Sequence, residues 1–114
     1  MAEQSQYGPI MLAALQHCGA RLFRNNVGSL QDTRGQWVHF GLCKGSSDLI
    51  GLTPRIITPD QVGRPVAIFT AIEVKSPRGR VRAGQDEFLA MVRERGGLAA
   101  RVTSVEEAIH ALTP

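Results

Sequence analysis

The chain has 114 residues, with 13 Lys and Arg against 10 Asp and Glu, and a formal net charge of +3 at pH 7. This length suits one domain, residues 1–114, and the mildly basic balance is compatible with a nucleic-acid partner without requiring one. Scarce aromatic residues, 5% of the chain, argue against a single-strand stacking platform, and the lack of a signal peptide or apolar span predicts a cytoplasmic protein without a membrane partner.

The first predicted element is an amphipathic helix. Pro9 suits the first turn of a helix, and Gly19 suits its end. Between them, apolar residues recur at the spacing of one helix face: Met11, Leu12, Leu15 and Cys18. We therefore expect this stripe to pack on a core.

Two short strands with a loop between them are predicted next. Residues 20–27 form the first strand, residues 28–35 are rich in turn formers, and residues 36–40 form the second strand. Arg24 and Asn25 stand near the end of the first strand. They are candidate phosphate contacts, with ordinary exposed polar residues as the alternative.

A carboxylate follows the next turn. The turn signal is Lys44-Gly45-Ser46-Ser47, and Asp48 then precedes a short apolar strand. Lys44 is a candidate DNA contact. A loop with Pro and Gly, residues 54–64, leads onward from this strand.

The segment from Val66 to Lys75 predicts a buried strand, because it is apolar almost throughout and free of Gly and Pro. Side chains alternate along a strand, so Glu73 and Lys75 share one face. Burying either charge unpaired would cost several kcal/mol. Three interpretations follow: an internal ion pair, a strand end that reaches solvent, or a metal-ligating carboxylate beside a catalytic lysine.

The functional interpretation needs a second carboxylate, and Asp48 lies 25 residues upstream of Glu73. This separation suits two neighbouring antiparallel strands joined by the intervening loop. Two close carboxylates repel each other, and a divalent cation would neutralise both while binding them. The functional interpretation therefore predicts a metal site formed by Asp48 and Glu73.

A basic loop and a helix follow Glu73 and Lys75. Arg78, Arg80 and Arg82 are candidate phosphate contacts. A helix over residues 83–95 has its apolar stripe at Phe88, Leu89 and Val92, and Gln85 shares that face near Lys75. A strand over residues 98–102 and a helix opened by Ser104 and Glu107 complete the chain.

In this order, Asp48, Glu73-x-Lys75 and Gln85 resemble the PD-(D/E)XK nuclease superfamily, and within it the small stand-alone VRR-NUC type of phages and bacteria. Further matches are the Lys44-Gly45 turn before Asp48 and the glycine pair before the last strand. Ser47 stands where the superfamily's name places Pro. The resemblance covers residues 21–112 and implies a restriction-endonuclease-like α/β fold. Its αβββαβ core has a central mixed sheet flanked by helices.

The resemblance also implies a function. Asp48 and Glu73 would bind Mg²⁺ or Mn²⁺ with the backbone carbonyl of Val74, while Lys75 and Gln85 complete the catalytic set. Glu3 is the acidic candidate for a further metal ligand. Similar proteins are homodimeric Holliday-junction resolvases, so we expect a metal-dependent DNA endonuclease acting on branched or four-way-junction DNA, in the cytoplasm of a bacterium or of a phage-infected host.

Three alternatives stay open. The first is a nuclease of the same fold that cuts flaps or plain duplex. The second is a non-catalytic DNA-binding module, against which the intact Asp48, Glu73 and Lys75 argue. The third is a structural ion pair with no role in DNA binding.

Overall fold

The computed structural model describes residues 3–76 and 84–114. Within them, three α-helices and six β-strands form a mixed α/β protein, as predicted. The helices are α1 (Tyr7–Cys18), α2 (Gln85–Glu94) and α3 (Val105–Leu112). The strands are β1 (Arg21–Arg24), β2 (Gly28–Gln31), β3 (Trp37–Phe40), β4 (Leu49–Leu52), β5 (Thr70–Val74) and β6 (Leu98–Val102). The chain divides into two compact units, Met1–Thr53 and Pro54–Pro114.

The first unit places α1 beside an antiparallel pair of strands, β1 and β4, with Arg24 opposite Leu49. Helix α1 ends where the sequence predicts, because Gly19 adopts the left-handed conformation with φ 68°. Its apolar stripe is less buried than predicted, since Leu12 is 55% exposed and Cys18 is also exposed. Of the predicted stripe, Met11 alone is half-buried, and Tyr7 and Ala14 are the other half-buried residues of the helix.

A hairpin stands where residues 28–35 were predicted to be a loop. Strand β2 pairs antiparallel with β3, with Leu30 opposite Val38. The turn is confined to residues 32–36, because the Asp32 carboxylate accepts hydrogen bonds from Arg34 N at 2.8 Å and Gln36 N at 2.9 Å. The loop prediction was therefore wrong for β2: the glycine and serine at its start belong to a strand.

The second unit is a parallel pair of strands, β5 and β6, with α2 packed on both and α3 packed on β6. Its buried apolar residues include Leu89, Val92 and Val102, and Val92 is fully buried. Gly97 lies in the turn between α2 and β6, where a Cβ would come within 2.6 Å of Val92 Cγ1 and 2.8 Å of the Phe69 carbonyl oxygen. Only glycine fits this close approach of helix and strand.

The strand that carries Glu73 is shorter than the predicted span from Val66. Strand β6 begins at Leu98, opposite Thr70, and the Leu98 N–H donates to the Phe69 carbonyl at 2.9 Å. Residues 66–68 lie beyond the end of this ladder, so their apolar sequence does not make them a strand. Apolar composition alone predicted too long an element, because a strand also needs a partner.

The predicted pairing of the strand after Asp48 with the strand that holds Glu73 is not among the ladders of residues 3–76 and 84–114. Strand β4 pairs with β1, and β5 pairs with β6, in separate two-stranded sheets. The central mixed sheet, the full αβββαβ core and the single domain over residues 1–114 stay predictions. Across the described ranges, no helix is long and apolar enough to cross a bilayer.

Helix α3 begins with the predicted cap in a modified form. Ser104 Oγ accepts from Glu107 N at 3.1 Å, but the Glu107 carboxylate accepts from Thr103 N at 2.7 Å rather than from Ser104 N. Hydrogen bonds from the Thr103 hydroxyl and then its N–H lower the pKa of Glu107 below its ordinary value. The hydrogen bonds from Thr103 to the Glu107 carboxylate therefore stabilise the fold at pH values above the ordinary pKa of glutamate. This contribution is lost as the pH falls through the lowered pKa of Glu107.

Burial of Val92 predicts a stability effect. Replacing Val92 with alanine removes two methyl groups from a fully buried side chain and leaves a cavity. We expect a loss of about 2 kcal/mol in the free energy of unfolding, measured by urea denaturation. The matched control is Val105→Ala, since Val105 is 71% exposed. It should change stability by less than about 0.5 kcal/mol. Equal losses in the two variants would contradict the placement of the core.

Candidate active site

Glu73 and Lys75 lie on one face at the end of β5, as their spacing predicts. The Lys75 N–H donates to the Val102 carbonyl at 2.9 Å and so continues the ladder one residue past the strand. Lys75 Nζ lies 3.2 Å from Glu73 Oε1, and the side chains of Lys75 and Glu73 are 12% and 28% exposed. The sheet backbone therefore fixes both side chains, and their opposite charges hold them together.

Gln85 brings the start of helix α2 to the same carboxylate. Gln85 Nε2 donates to Glu73 Oε1 at 2.7 Å, across a separation of 12 residues. Sequence reasoning placed Gln85 near Lys75, whereas its hydrogen bond is to Glu73. Gly84 precedes the helix with φ 87°, a conformation that glycine adopts without strain. The glycine thus lets the chain turn into the helix with Gln85 over the end of β5.

Arg101 is a neighbour of the site that the sequence did not indicate. It lies opposite Glu73 in the parallel ladder and forms an ion pair with Asp86, in the first turn of α2. Asp86 is also a favourable negative charge at the N-terminus of this helix. Its pair with Arg101 ties the first turn of α2 to β6, beside Gln85. No local motif signals this contact, because it joins residues 15 apart in sequence.

A cavity of about 610 Å³ lies between β5 and α2 in the second unit. Its lining includes Glu73 and Gln85, with apolar walls from Ile72, Phe88 and Leu89. Both described partners of the Glu73 carboxylate contact Oε1, so Oε2 has no partner among residues 3–76 and 84–114. The Glu73 carboxylate therefore lines an open, partly polar cavity, with its Oε1 engaged by Lys75 and Gln85.

The first unit holds the other candidate carboxylate. Asp48 is exposed and directly precedes β4, and its backbone carbonyl accepts from Asn25 N at 2.8 Å. The turn before it closes with a hydrogen bond from Ser46 N to the Cys43 carbonyl at 3.0 Å, with Gly45 at φ 84°. Within the described part of the chain, the Asp48 carboxylate has no hydrogen-bond or ion-pair partner.

Two carboxylates of the chain suit a hard divalent cation by their chemistry. Asp48 and Glu73 each offer carboxylate oxygens, the ligands that Mg²⁺ and Mn²⁺ prefer. Among the residues that the structure describes, no group of three Asp, Glu, His or Cys side chains is placed to hold a metal ion. Asp48 belongs to the first unit and Glu73 to the second. Glu3 begins a short 3-10 helix ahead of α1.

The predicted DNA-contacting residues fall into two groups. Arg24 and Lys44 are exposed in the first unit, and the Arg24 guanidinium lies 5.6 Å from the centre of the Tyr7 ring. Lys44 stands in the turn before Asp48. The residues Arg78, Arg80 and Arg82 lie outside the described ranges. Lys44 thus lies shortly before Asp48 in sequence, and Arg24 lies opposite Leu49, the residue after Asp48. Both cations are exposed, which a phosphate contact requires.

Comparison with known families identifies the class of this protein. Residues 3–106 of the 114-residue chain match the VRR-NUC domain. The chain therefore belongs to the VRR-NUC family, and as such it is a nuclease domain with DNA as its substrate. Nucleases of this family generally depend on a divalent metal. Neither the curated proteins nor the solved structures contain a match to the chain.

The hydrogen bond from Gln85 to Glu73 leads to a prediction. Replacing Gln85 with alanine removes a 2.7 Å bond to a charged group and frees the carboxylate to rotate. We expect cleavage of DNA to fall about tenfold, which matches the typical worth of one such bond. Gln16→Ala is the control, because Gln16 is an exposed glutamine of α1. Equal cleavage rates for these two variants would remove Gln85 from the site.

Proposed function

We propose that the protein is a metal-dependent DNA endonuclease that cuts branched DNA in the manner of a Holliday-junction resolvase. One observation carries this proposal: in a chain of the VRR-NUC family, Lys75 and Gln85 both contact the same carboxylate oxygen of Glu73. A structural ion pair would need only Glu73 and Lys75. Gln85 adds a hydrogen-bond donor from a helix, beside a cavity of about 610 Å³.

Asp48, Glu73 and the backbone carbonyl of Val74 are the proposed ligands of Mg²⁺ or Mn²⁺, with Glu3 as a further candidate. The bound cation would activate water and stabilise negative charge on the attacked phosphate. A neighbouring side chain orients one of these ligands. Gln85 fixes the orientation of the Glu73 carboxylate through its hydrogen bond to Oε1.

Lys75 is the proposed catalytic cation. Its ammonium group is a compact charge that suits non-bridging phosphate oxygens, where negative charge grows in the transition state. The ion pair with Glu73 holds the lysine in place before DNA binds. The backbone bond from Lys75 N to Val102 keeps the base of the side chain rigid. Because Lys75 is already held in position, less conformational entropy is lost when the transition state forms.

The proposed DNA contacts are Arg24, Lys44, Arg78, Arg80 and Arg82. Cations of this kind position the phosphate backbone without reading base sequence. A structure-specific nuclease needs such contacts, because it recognises the shape of the DNA. The exposure of Arg24 and Lys44 supports this role for the first unit.

Resolution of a four-way junction requires two incisions, so the proposal includes a two-fold homodimer. The hairpin β2–β3 offers an exposed apolar face that supports it. Leu30, Val38 and Phe40 share this face, and they are 66%, 50% and 42% exposed. A two-stranded hairpin is marginal in water by itself, and a second copy would cover this face.

The test compares cleavage of a four-way junction, a flap and a linear duplex of the same sequence in Mg²⁺, with light scattering of the same sample. We expect the junction to be cut fastest, by a protein of about twice the 12.4 kDa monomer mass. Faster cutting of the flap or the duplex by a strict monomer would assign the same residues to a different nuclease specificity. Binding of all three substrates without cleavage would indicate a DNA-binding module.

A further inference from the structure

Asn25 cross-links the turn that leads to Asp48. Asn25 Nδ2 donates to Ser46 Oγ at 2.7 Å and to the Ser47 carbonyl at 2.8 Å. Its Oδ1 accepts from Leu42 N at 2.8 Å, and its backbone N–H donates to the Asp48 carbonyl at 2.8 Å. One residue at the end of β1 thus holds the segment from Leu42 to Asp48 at both ends.

The amide group of Asn25 is committed to this turn. An asparagine side chain has two N–H donors, and both are engaged within residues 46 and 47. Sequence reasoning alone would class Asn25, next to Arg24, as another polar candidate for phosphate contact. Its hydrogen bonds leave no donor for that role, so its function is internal to the protein.

The second partner, Ser46, extends the same network. Its hydroxyl donates to the Cys43 carbonyl at 2.6 Å while it accepts from Asn25 Nδ2. The turn of Cys43 to Ser46 is therefore bonded to itself and to β1. Cross-links over 21 and 22 residues constrain the backbone of a segment that has little apolar burial of its own.

We propose that Asn25 is the positioning residue for the Asp48 carboxylate, an inference that rests on the proposed role of Asp48 as a metal ligand. Asp48 has no side-chain partner in the described ranges, so its carboxylate is placed by the backbone alone. Asn25 fixes that backbone directly through the Asp48 carbonyl and indirectly through Ser47. Ordering a ligand in advance removes part of the entropic cost of binding a cation.

A positioning role differs from a purely structural one in what it changes. If Asn25 only stabilised the fold, its removal would lower the melting temperature and leave the metal affinity of the folded protein unchanged. If it positions Asp48, its removal weakens cation binding in protein that remains folded. Cleavage would then need more metal, while the rate at saturating metal would stay near that of the wild type.

The experiment uses the full chain and Mn²⁺ alone, measured by calorimetry, with circular dichroism as the check on folding. Asn25→Ala should raise the Kd for Mn²⁺ about tenfold, the scale expected for losing hydrogen bonds to an ordered loop. Asn26→Ala is the matched control, since Asn26 is the exposed neighbour in sequence. It should bind Mn²⁺ as the wild type does.

Ser46→Ala provides a second variant that keeps Asn25 and removes one of its partners. It should shift the Kd in the same direction by a smaller factor, and the double variant should show less than the sum of the two free-energy effects. Wild-type Mn²⁺ affinity in folded Asn25→Ala and Ser46→Ala would overturn the inference. Asp48→Asn separates the two hypotheses: if it also keeps the wild-type affinity, the proposed role of Asp48 fails, and if it alone loses binding, only the role of Asn25 fails.

Discussion

Replacing Lys75 with alanine should lower the rate of DNA cleavage at least about 100-fold, the loss typical of removing one charge-stabilising donor from an active site. The physical reason is the position of its ammonium group, 3.2 Å from Glu73 Oε1 and 12% exposed. In the proposed mechanism, this partly desolvated ammonium group would contact phosphate oxygens without first losing a large hydration shell. Cleavage of a labelled junction at saturating protein measures the effect on the chemical step.

DNA binding should change little in the same variant, because one half-buried cation contributes little to the contacts along the DNA backbone. Arg64→Ala is the control, since it removes a positive charge from an exposed loop of the same unit. Lys75→Arg tests the need for a compact charge, and it should recover only part of the activity. Near-normal turnover by a folded Lys75→Ala protein would leave the Glu73–Lys75 contact as a structural ion pair.

Replacing Asp48 with asparagine should abolish the binding of Mn²⁺ and reduce cleavage to the level of the metal-free protein. The substitution keeps the size of the side chain and removes its charge, which is the main attraction of the site for a hard cation. Asp48 is exposed and has no partner in the described ranges, so the melting temperature should stay within a few degrees of the wild type. Calorimetry with Mn²⁺ measures the loss.

Glu94→Gln is the control for Asp48→Asn, because it neutralises another exposed carboxylate, at the end of α2. It should leave both Mn²⁺ binding and cleavage unchanged. If Asp48→Asn binds Mn²⁺ as tightly as Glu94→Gln does, the cation is held without Asp48. The proposed site would then be reduced to the part of it that lies in the second unit.

Short-range features of the candidate site were predictable from the sequence. The alternation of side chains along a strand places Glu73 and Lys75 on one face, and their side chains are in contact. The periodicity of α2 places Gln85 on the face that meets the sheet, where it bonds to Glu73. Gly19 and Ser104 end and begin helices as their residue types predict.

Features that depend on distant partners were not predictable. The hairpin of β2 and β3 depends on how Asp32 folds the turn, while the glycine and serine of β2 are poor strand formers. The true length of β5 depends on where β6 begins. Arg101 and Asn25 make their contacts across 15 to 22 residues, and no local pattern encodes such pairs.

The most direct measurement is the cleavage of a labelled four-way junction by the wild-type protein as the divalent metal is removed and returned. We expect cleavage in Mg²⁺ or Mn²⁺, no cleavage after chelation with EDTA, and full recovery when Mg²⁺ is added in excess. Lys75→Ala should stay inactive throughout, which excludes a contaminating nuclease. Cleavage that persists in EDTA, or intact junction, flap and duplex DNA in every metal tested, would contradict a metal-dependent endonuclease.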